Sequence, residues 1–237
     1  MLQTIMGKAR RAIDDYAMID DGDKIAIGLS GGKDSLTLLH SLYYLKKYYT
    51  KKFDIMAITI HPGSETFDTT KLEELCKKLD IEYIVYHSDI SKVVFDIRKE
   101  KNPCSLCANM RRGMLNSIAI EHGCTKIALA HHSDDVIETF LMSIFLNGKI
   151  HTFSPITYLS RSDIKVIRPF IYVSEKEIRH VAKALEYPVI GKCCPRDGYT
   201  KREYIKNLIR TISLDIPKVR TNIMGAIMRS DIPGWKK

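Results

Sequence analysis

The sequence Ser-Gly-Gly-Lys-Asp-Ser at residues 30–35 is the feature that most constrains how this chain can fold. It follows an apolar run over residues 24–29, typical of a strand buried on both faces, and precedes leucines at helical spacing. Adjacent glycines allow positive φ angles and a close backbone approach to a ligand. A helix beginning there directs unpaired N–H groups and its positive dipole end at the same point. We therefore predict an anion site in which Lys33 and the Ser30 and Ser35 hydroxyls complete a phosphate cradle.

Loop 30–35 has neither the spacing of the Walker A motif nor that of the dinucleotide-binding fingerprint. It resembles instead the S-G-G-x-D-S signature of the PP-loop ATP pyrophosphatases, which hold the pyrophosphate of ATP and cleave between the α- and β-phosphates. The alternative interpretation is an ordinary strand–helix turn in which Ser30 acts as a cap. The resemblance implies that the bound anion is ATP.

Strand and helix patterns alternate from residue 24 to about residue 148 and predict an α/β fold. Strands are predicted over residues 24–29, 53–60, 81–86, 126–130 and 164–167. Helices are predicted over residues 1–18, 69–79, 93–101, 111–122, 135–146 and 174–185, with a helix pair after about residue 210. This alternation predicts a doubly wound, mainly parallel sheet with helices on both faces.

The domain organisation expected from these patterns is an N-terminal helical segment, one α/β domain and a small helical C-terminal part. Their predicted limits are residues 1–22, 23–195 and 196–237. Ligands of parallel sheets bind beyond the carboxyl ends of the strands. Loop 30–35, the end of the second strand at Ile60, and residues 130–135 are therefore expected to meet in one crevice.

Charge and composition favour a basic protein with an acidic macromolecular partner. The 237 residues include 37 Lys and Arg against 28 Asp and Glu, a formal net charge of +9. No apolar run approaches the length of a membrane span, and the N-terminus has no signal-peptide core. We therefore expect a cytoplasmic protein with no membrane association, whose six cysteines do not form structural disulfides.

Two aspartates follow the fourth predicted strand, in the sequence H-H-S-D-D at residues 131–135. Carboxylates that face a triphosphate repel it unless a divalent cation lies between them. Mg²⁺ takes one or two carboxylates together with phosphate oxygens, so Asp135 with Asp34 or Glu138 is a predicted cation site. Either aspartate could also cap the following helix, and the two roles are compatible. The two histidines suit hydrogen-bonded loop positions as well as acid–base catalysis.

Cys104 and Cys107 have the C-x-x-C spacing of a metal ligand pair or a redox motif. A thioredoxin-like role is disfavoured, since the motif follows a basic helix instead of ending the first strand of its own fold. Zinc prefers four ligands, usually two such pairs, whereas the adjacent Cys193 and Cys194 cannot easily both face one ion. Three thiolates suit a [4Fe–4S] cluster with one open corner for a sulfur species or substrate. The competing interpretation is a set of unrelated thiols without a metal.

Four segments resemble the tRNA 2-thiocytidine synthetases, a family of PP-loop enzymes, and the resemblance spans about residues 10–210. The segments are residues 18–25, residues 103–113 with both cysteines, residues 125–135 and residues 166–169. The resemblance implies ATP-dependent 2-thiolation of a cytidine in the tRNA anticodon loop. It also implies a [4Fe–4S] cluster on Cys104, Cys107 and Cys194, with Cys193 as the alternative third ligand. His61 stands where the family pattern has an acidic residue, and Ala130 where it has a glycine.

The resemblance assigns roles to further residues. Those implied to bind ATP are Gly28, Ser30, Gly31, Gly32, Lys33, Asp34, Ser35, Ile60, Arg111, Ala130 and Asp135. Those implied in catalysis are Lys33, Asp135, Cys104 and Cys107, with Asp135 also binding Mg²⁺.

The expected partners are tRNA and a sulfur donor, either a cysteine desulfurase or sulfide, and a homodimer is compatible with the sequence. Basic residues predicted to contact tRNA phosphates are Lys8, Arg10, Arg11, Arg98, Lys99, Lys201, Arg202, Lys206, Arg210, Lys218, Arg220, Lys236 and Lys237. Three other functions remain open: a tRNA 2-thiouridine synthetase, another PP-loop ligase such as a lysidine synthetase, and a non-catalytic nucleotide and iron–sulfur sensor.

Overall fold

The computed structural model describes residues 1–64, 66–98, 103–191 and 200–235, with the side chains at positions 95, 96 and 104 outside that description. The strands are β1 (Asp23–Gly28), β2 (Phe53–His61), β3 (Glu82–His87), β4 (Lys126–Ala128), β5 (Ile156–Leu159) and β6 (Ile164–Ile167). The helices are α1 (Leu2–Asp15), α2 (Lys33–Tyr48), α3 (Thr70–Lys78), α4 (Pro103–Glu121), α5 (Ser133–Asn147), α6 (Glu175–Ala184), α7 (Lys201–Asp215) and α8 (Val219–Met228). A π-helical turn, Lys92–Ile97, precedes α4.

The strands form one sheet in the order β3-β2-β1-β4-β6-β5. All neighbouring pairs are parallel except β5 and β6, which are antiparallel. The predicted, mainly parallel α/β sheet is therefore confirmed. The sequence pattern missed β5, because this edge strand has only four residues and none of them is fully buried.

The sheet is buried on both faces by two hydrophobic clusters. Ile25 and Ile27 of β1 face a large cluster that includes residues of α1, α2, α6 and α8. Ala26, between them, faces a smaller cluster built with Leu115 and Ile118 of α4. Because successive strand residues point to opposite faces, the unbroken apolar run in β1 supplies both clusters.

The largest difference from the predicted elements lies before and within α4. The helix predicted over residues 93–101 is the shorter π-helical turn, and residues 99–102 lie outside the described ranges. The helix predicted over residues 111–122 begins at Pro103, so the C-x-x-C motif lies in its first two turns. Proline suits the first helical position, since its missing N–H would be unpaired there in any case.

The helix pair predicted after about residue 210 is present as α7 and α8, but α7 begins earlier, at Lys201. Ile205 and Ile209 of α7 are buried against Ile137 of α5. In the described part of the chain, every helix is too short or too polar to cross a membrane.

Candidate active site

The predicted crevice corresponds to the edge of the sheet where the neighbouring parallel strands β2, β1 and β4 end. The backbone N–H of Leu29 donates to the carbonyl of Ile58 at 2.9 Å, which fixes the chain as it leaves β1. The Thr59 hydroxyl donates to the Leu29 carbonyl at 2.6 Å, and the Tyr83 hydroxyl donates to Thr59 at 2.8 Å. Because β1 also pairs with β4, loop 30–35 and residues 130–135 leave adjacent strands.

Loop 30–35 is held by its own serines. The Ser35 hydroxyl donates to the Gly32 carbonyl at 3.0 Å and accepts from the Ser30 N–H at 3.2 Å. Gly32 is the N-cap residue of α2, and no side chain caps this helix. The first turn of α2 therefore leaves backbone donors for an anion.

Gly31 has a φ of +75°, a conformation that residues with a Cβ rarely adopt. Its carbonyl accepts a hydrogen bond from the Ile190 N–H at 2.9 Å, and the Ile190 side chain covers it. A Cβ at residue 31 would lie 2.5 Å from Cδ1 and 3.1 Å from Cβ of Ile190. Glycine is therefore required here by both backbone conformation and space.

Gly31→Ala is expected to lower the free energy of unfolding by about 2 kcal/mol, since the backbone strain adds to the displacement of Ile190. Gly32→Ala is the matched control, because Gly32 has a φ of −81° and a new Cβ would lie 3.5 Å from the nearest atom, Ser30 Oγ. It should cost less than about 1 kcal/mol. Urea unfolding measures both, and equal losses would contradict the steric argument.

Lys33 is partly buried and lies between two carboxylates. Its ammonium is 3.0 Å from Asp34 Oδ2 and 3.3 Å from Glu175 Oε1. Burial alone would lower the pKa of Lys33, but the two carboxylates outweigh it and raise the pKa above its usual value. Lys33 is therefore held as a cation at the loop.

Glu175, which the sequence analysis did not single out, joins the loop to α7. In addition to Lys33, the Glu175 carboxylate forms ion pairs with Lys206, 2.8 Å from Nζ to Oε2, and with Arg179, 3.1 Å from Nη2 to Oε1. Burial opposes its ionisation, but hydrogen bonds and charge from Lys206 and Lys33 lower the pKa of Glu175 to about 2. The only sequence signal was its place after the N-cap Ser174, which is typical of any helix start.

His132, and neither aspartate, is the N-cap of α5. Asp135 N donates to His132 Nδ1 at 3.3 Å, and His132 N donates to Asp135 Oδ2 at 3.0 Å, which forms a capping box. Neither aspartate is the N-cap residue, because the helix begins at Ser133, but the Asp135 carboxylate takes part in capping as the third residue of that box. Asp134 instead accepts from the Glu175 N–H at 2.8 Å and pairs with Arg220 of α8.

Asp34 and Asp135 present carboxylate oxygens near the start of α5. Asp34 Oδ1 is buried, has no hydrogen-bond partner among the described residues, and lies 3.9 Å from His132 Nε2. Asp135 Oδ1 contacts Arg202 Nη1 at 3.4 Å, and the same guanidinium contacts Glu138 at 3.2 Å. Burial and the charge of Asp135 raise the pKa of Glu138 despite that contact. The unpaired oxygen of Asp34 is suited to a cation that accompanies a bound anion.

Within the described ranges, no three His, Cys, Asp or Glu side chains are arranged to hold a metal ion by themselves. This agrees with the coordination expected for Mg²⁺, which keeps waters and takes phosphate oxygens in addition to one or two carboxylates. The predicted cation site at Asp135 and Asp34 therefore stays a prediction that the local geometry fits.

The C-x-x-C motif lies in the first two turns of α4, in the connection that leaves the carboxyl end of β3. Cys107 is partly exposed on α4, and Arg111 is exposed one turn later. The charge of Arg112 contributes, after burial, to lowering the pKa of Arg168, which follows β6 at the carboxyl edge. Cys193 and Cys194 lie outside the described residues, as does the side chain of Cys104. The three-cysteine cluster site therefore stays a prediction.

The two remaining described cysteines are buried, as small hydrophobic residues are. Burial raises the pKa of the Cys76 thiol to about 12 and that of Cys124 to about 11. Both thiols lie inside the hydrophobic clusters on the faces of the sheet and are packed as core residues.

Three other predicted ATP contacts lie along the strand ends. Gly28, at the end of β1, is closely covered by Leu115 and Leu129, so a Cβ there would lie 3.1 Å from each. Ile60 and Ala130 are half-buried at the ends of β2 and β4. Close packing therefore favours glycine at position 28, in addition to the predicted contact with ATP.

His61, which stands where the family pattern has an acidic residue, shapes the loop after β2. Its Nε2 lies 2.8 Å from the Phe67 carbonyl, and its Nδ1 accepts from the Gly63 N–H at 3.1 Å. Both ring nitrogens are therefore used within the loop, and an acidic side chain could not make the donor contact.

Several basic residues predicted to contact tRNA are partly exposed and form ion pairs with carboxylates of the protein. Lys8 pairs with Glu177 at 2.7 Å, and Arg202, Lys206 and Arg220 bind the carboxylates around the crevice. Their charges balance nearby carboxylates, and the predicted contact of these four residues with tRNA phosphates stays a prediction. Arg10 and Arg11 remain on the exposed face of α1, with long contacts to aspartates one turn later.

Comparison with known proteins identifies the family of this chain. A model of the PP-loop domain matches residues 2–212. The tRNA-cytidine(32) 2-sulfurtransferase of Geobacter metallireducens is 36% identical over 224 residues, covering 92% of this chain and 86% of the relative. The enzyme of the same name from Pseudomonas entomophila is 39% identical over 203 residues, covering 85% and 74%. Among solved structures, the U34-tRNA thiolase NcsA of Methanococcus maripaludis with its [4Fe-4S] cluster is similar, with a TM-score of 0.76 and 25% identity, covering 94% of this chain and 77% of that one.

Proposed function

The chain belongs to the family of tRNA-cytidine(32) 2-sulfurtransferases, and on that premise we propose that it uses ATP to replace the C2 oxygen of a tRNA cytidine by sulfur. The observation that carries the proposal is the placement of three features at the carboxyl edge of the sheet. Loop 30–35, the unpaired carboxylate oxygen of Asp34 and the helix that begins at the C-x-x-C motif lie around one edge of the sheet.

The first step activates the base. The cytidine C2 oxygen attacks the α-phosphorus of ATP, a new P–O bond forms, and the α–β bridging bond breaks as pyrophosphate leaves with its electron pair. Loop 30–35 binds the departing phosphates through the first N–H groups of α2, and Lys33 offsets their negative charge. For this to happen, Lys33 exchanges its contact with Glu175 for the phosphates.

The second step replaces oxygen by sulfur. A nucleophilic sulfur species attacks C2, a C–S bond forms, and the C2–O bond breaks so that the former base oxygen leaves within AMP. Covalent activation divides one difficult substitution into two easier steps, since AMP is a much better leaving group than oxide. Arg111, one helical turn after Cys107 on α4, would contact the nucleotide phosphates.

Mg²⁺ is the cation that the residues near the start of α5 fit. Asp135 and Asp34 would hold it, with phosphate oxygens and water completing the coordination. Bound there, it would neutralise phosphate charge. Arg202 Nη1 lies 3.4 Å from Asp135 Oδ1, which is longer than a strong charge-assisted hydrogen bond. This contact therefore competes only weakly with Mg²⁺ for the Asp135 carboxylate.

A [4Fe–4S] cluster is the group that three thiolates suit, and NcsA carries one. Cys104, Cys107 and Cys194 would hold it, with Cys193 as the alternative third ligand. Such a cluster, when bound, supplies an open iron position for a sulfur species. Cys104 and Cys107 both lie in α4, about one helical turn apart and on the same side of the helix.

The partners follow from this chemistry. The substrate is a tRNA whose target base leaves its stack to reach the crevice, as base-modifying enzymes require. The sulfur comes from a cysteine desulfurase or from sulfide, and we place the reaction in the cytoplasm, where tRNA is used.

An anaerobic reconstituted assay tests the function. The full-length protein is incubated with iron, sulfide, Mg²⁺, ATP and a tRNA transcript, and nucleosides are analysed by mass spectrometry. We expect one AMP and one pyrophosphate for each 2-thiocytidine formed. A matched transcript with uridine at the target position is the control. 2-Thiouridine in that control without 2-thiocytidine in the first would identify a uridine thiolase, and an unmodified tRNA in both would contradict the proposal.

A further inference from the structure

Arg168 is a buried arginine whose guanidinium is fixed by the protein. Arg168 directly follows the last residue of β6 and is 8% exposed. Nη1 donates to the Ser154 carbonyl at 2.7 Å and to the Thr157 hydroxyl at 2.9 Å. The guanidinium also lies over the Phe153 ring, 5.0 Å from its centre. These contacts leave the Nε–H of Arg168 with one direction in which to donate.

That donor is directed at His131. Arg168 Nε donates to His131 Nδ1 at 3.3 Å, and the Phe153 ring packs 5.0 Å from the histidine ring. Arginine has no acceptor and stays protonated at neutral pH. Nδ1 of His131 must therefore carry the lone pair, so the ring hydrogen lies on Nε2, at the other side of the ring.

The surroundings also keep the ring neutral. Burial is the main reason that the pKa of His131 falls to about 4; the charge of Asp135 opposes the fall, whereas those of Arg168 and Arg202 add to it. At neutral pH, His131 is thus a hydrogen-bond donor through Nε2 and has no free lone pair there. A neutral ring in this tautomer cannot act as a general base at Nε2.

We propose that Arg168 is a positioning residue that fixes His131 as a neutral Nε2–H donor, and that this donor binds a phosphate oxygen of ATP in the crevice. The second part rests on the proposed function. Phosphate is the ligand we favour, since His131 directly precedes the N-cap of α5, and Asp135 stands in the first turn of that helix. The donor stabilises an anionic oxygen without placing a second full positive charge beside Arg202.

The tautomer is tested first, in the protein without nucleotide. Protein with ¹⁵N-labelled histidine is examined at pH 7 by long-range ¹H–¹⁵N correlation, and the His131 signals are identified by their loss in His131→Gln. We expect a single neutral Nε2–H form. Arg168→Met should give a mixture of tautomers, whereas Arg179→Met, which removes an exposed arginine, should not change the pattern. An Nδ1–H or cationic ring in the unmodified protein would overturn the assignment.

The ligand is tested second, by calorimetry with a non-hydrolysable ATP analogue and Mg²⁺. His131→Ala should bind the analogue at least about tenfold more weakly, the usual effect of losing a hydrogen bond to a charged group. His131→Gln should stay within about threefold, because the glutamine amide can place an N–H near the position of Nε2. Equal affinity in all three proteins would overturn the phosphate contact.

The two tests separate this proposal from the proposed function. If the unmodified protein binds no ATP analogue, both the function and the phosphate contact fail, but the tautomer result still decides the role of Arg168. If ATP binds and His131 proves cationic, the proposed function stands and the positioning role fails.

Discussion

Cys104→Ala and Cys107→Ala are each expected to abolish tRNA thiolation while ATP binding stays within about twofold of the unmodified protein. Loss of a residue that merely supports a metal ligand lowers metal affinity by roughly 10- to 100-fold. Loss of a cysteine ligand itself should lower cluster affinity by more than that. Loop 30–35 and the Asp34 carboxylate lie on other elements, so ATP binding should be nearly independent of the cysteines. Iron and sulfide analysis after anaerobic reconstitution measures the cluster, and mass spectrometry of tRNA nucleosides measures thiolation.

The matched control for these variants is Cys76→Ala. Cys76 is buried in the main hydrophobic cluster, and burial raises its thiol pKa to about 12, so it should not bind iron. This variant is expected to lose some stability and to keep both iron and thiolation. A Cys104→Ala protein that still thiolates tRNA would exclude the proposed cluster mechanism and leave the ATP chemistry in place.

Lys33→Met is expected to slow tRNA-dependent AMP formation by about 100- to 1,000-fold, the usual effect of removing one donor that stabilises developing charge. The protein should remain folded, because Lys33 is partly exposed and its two carboxylate partners lie at the same open edge of the sheet. The measurement is the release of AMP and pyrophosphate at saturating tRNA, with the thermal unfolding midpoint recorded in parallel.

Lys206→Met provides a demanding control for Lys33→Met. Both lysines contact Glu175, Lys206 at 2.8 Å and Lys33 at 3.3 Å, but only Lys33 belongs to loop 30–35. Losing a partly exposed ion pair costs up to about 1 kcal/mol, so Lys206→Met should change the rate by no more than about fivefold. Equal losses in both variants would show that Lys33 acts by holding Glu175 and not by binding phosphate.

Much of the fold follows from short-range patterns in the sequence. The apolar run before loop 30–35 predicts β1 because both of its faces are buried, and the leucines after the loop predict α2. The capping box of Ser174 with Glu177 is likewise readable as a local signal for the start of α6. Such features depend on steric preferences and residue periodicity within a few positions, which a sequence displays directly.

The start of α4 shows where local patterns stop being sufficient. The C-x-x-C motif contains no strong helix signal, and its helical conformation depends on Pro103 at the first position and on Leu115 and Ile118 packing beneath the sheet. Similarly, β5 is a four-residue edge strand that exists because it pairs with β6. Elements this short gain their stability from the neighbour they contact, and that neighbour is not written in the local sequence.

The parallel α/β sheet and the position of loop 30–35 between a buried strand and a helix follow from the sequence alone, which also predicts an anion site at that loop. The choice of charge partners was decided only by the tertiary structure: Glu175 holds Lys33, Arg202 and Arg220 bind internal carboxylates, and Arg168 donates to His131. The physical reason is that a charged side chain is defined by what surrounds it. A lysine or arginine exposed to water and one pointing inward look identical in a sequence, and only the packing of α5 to α8 distinguishes them.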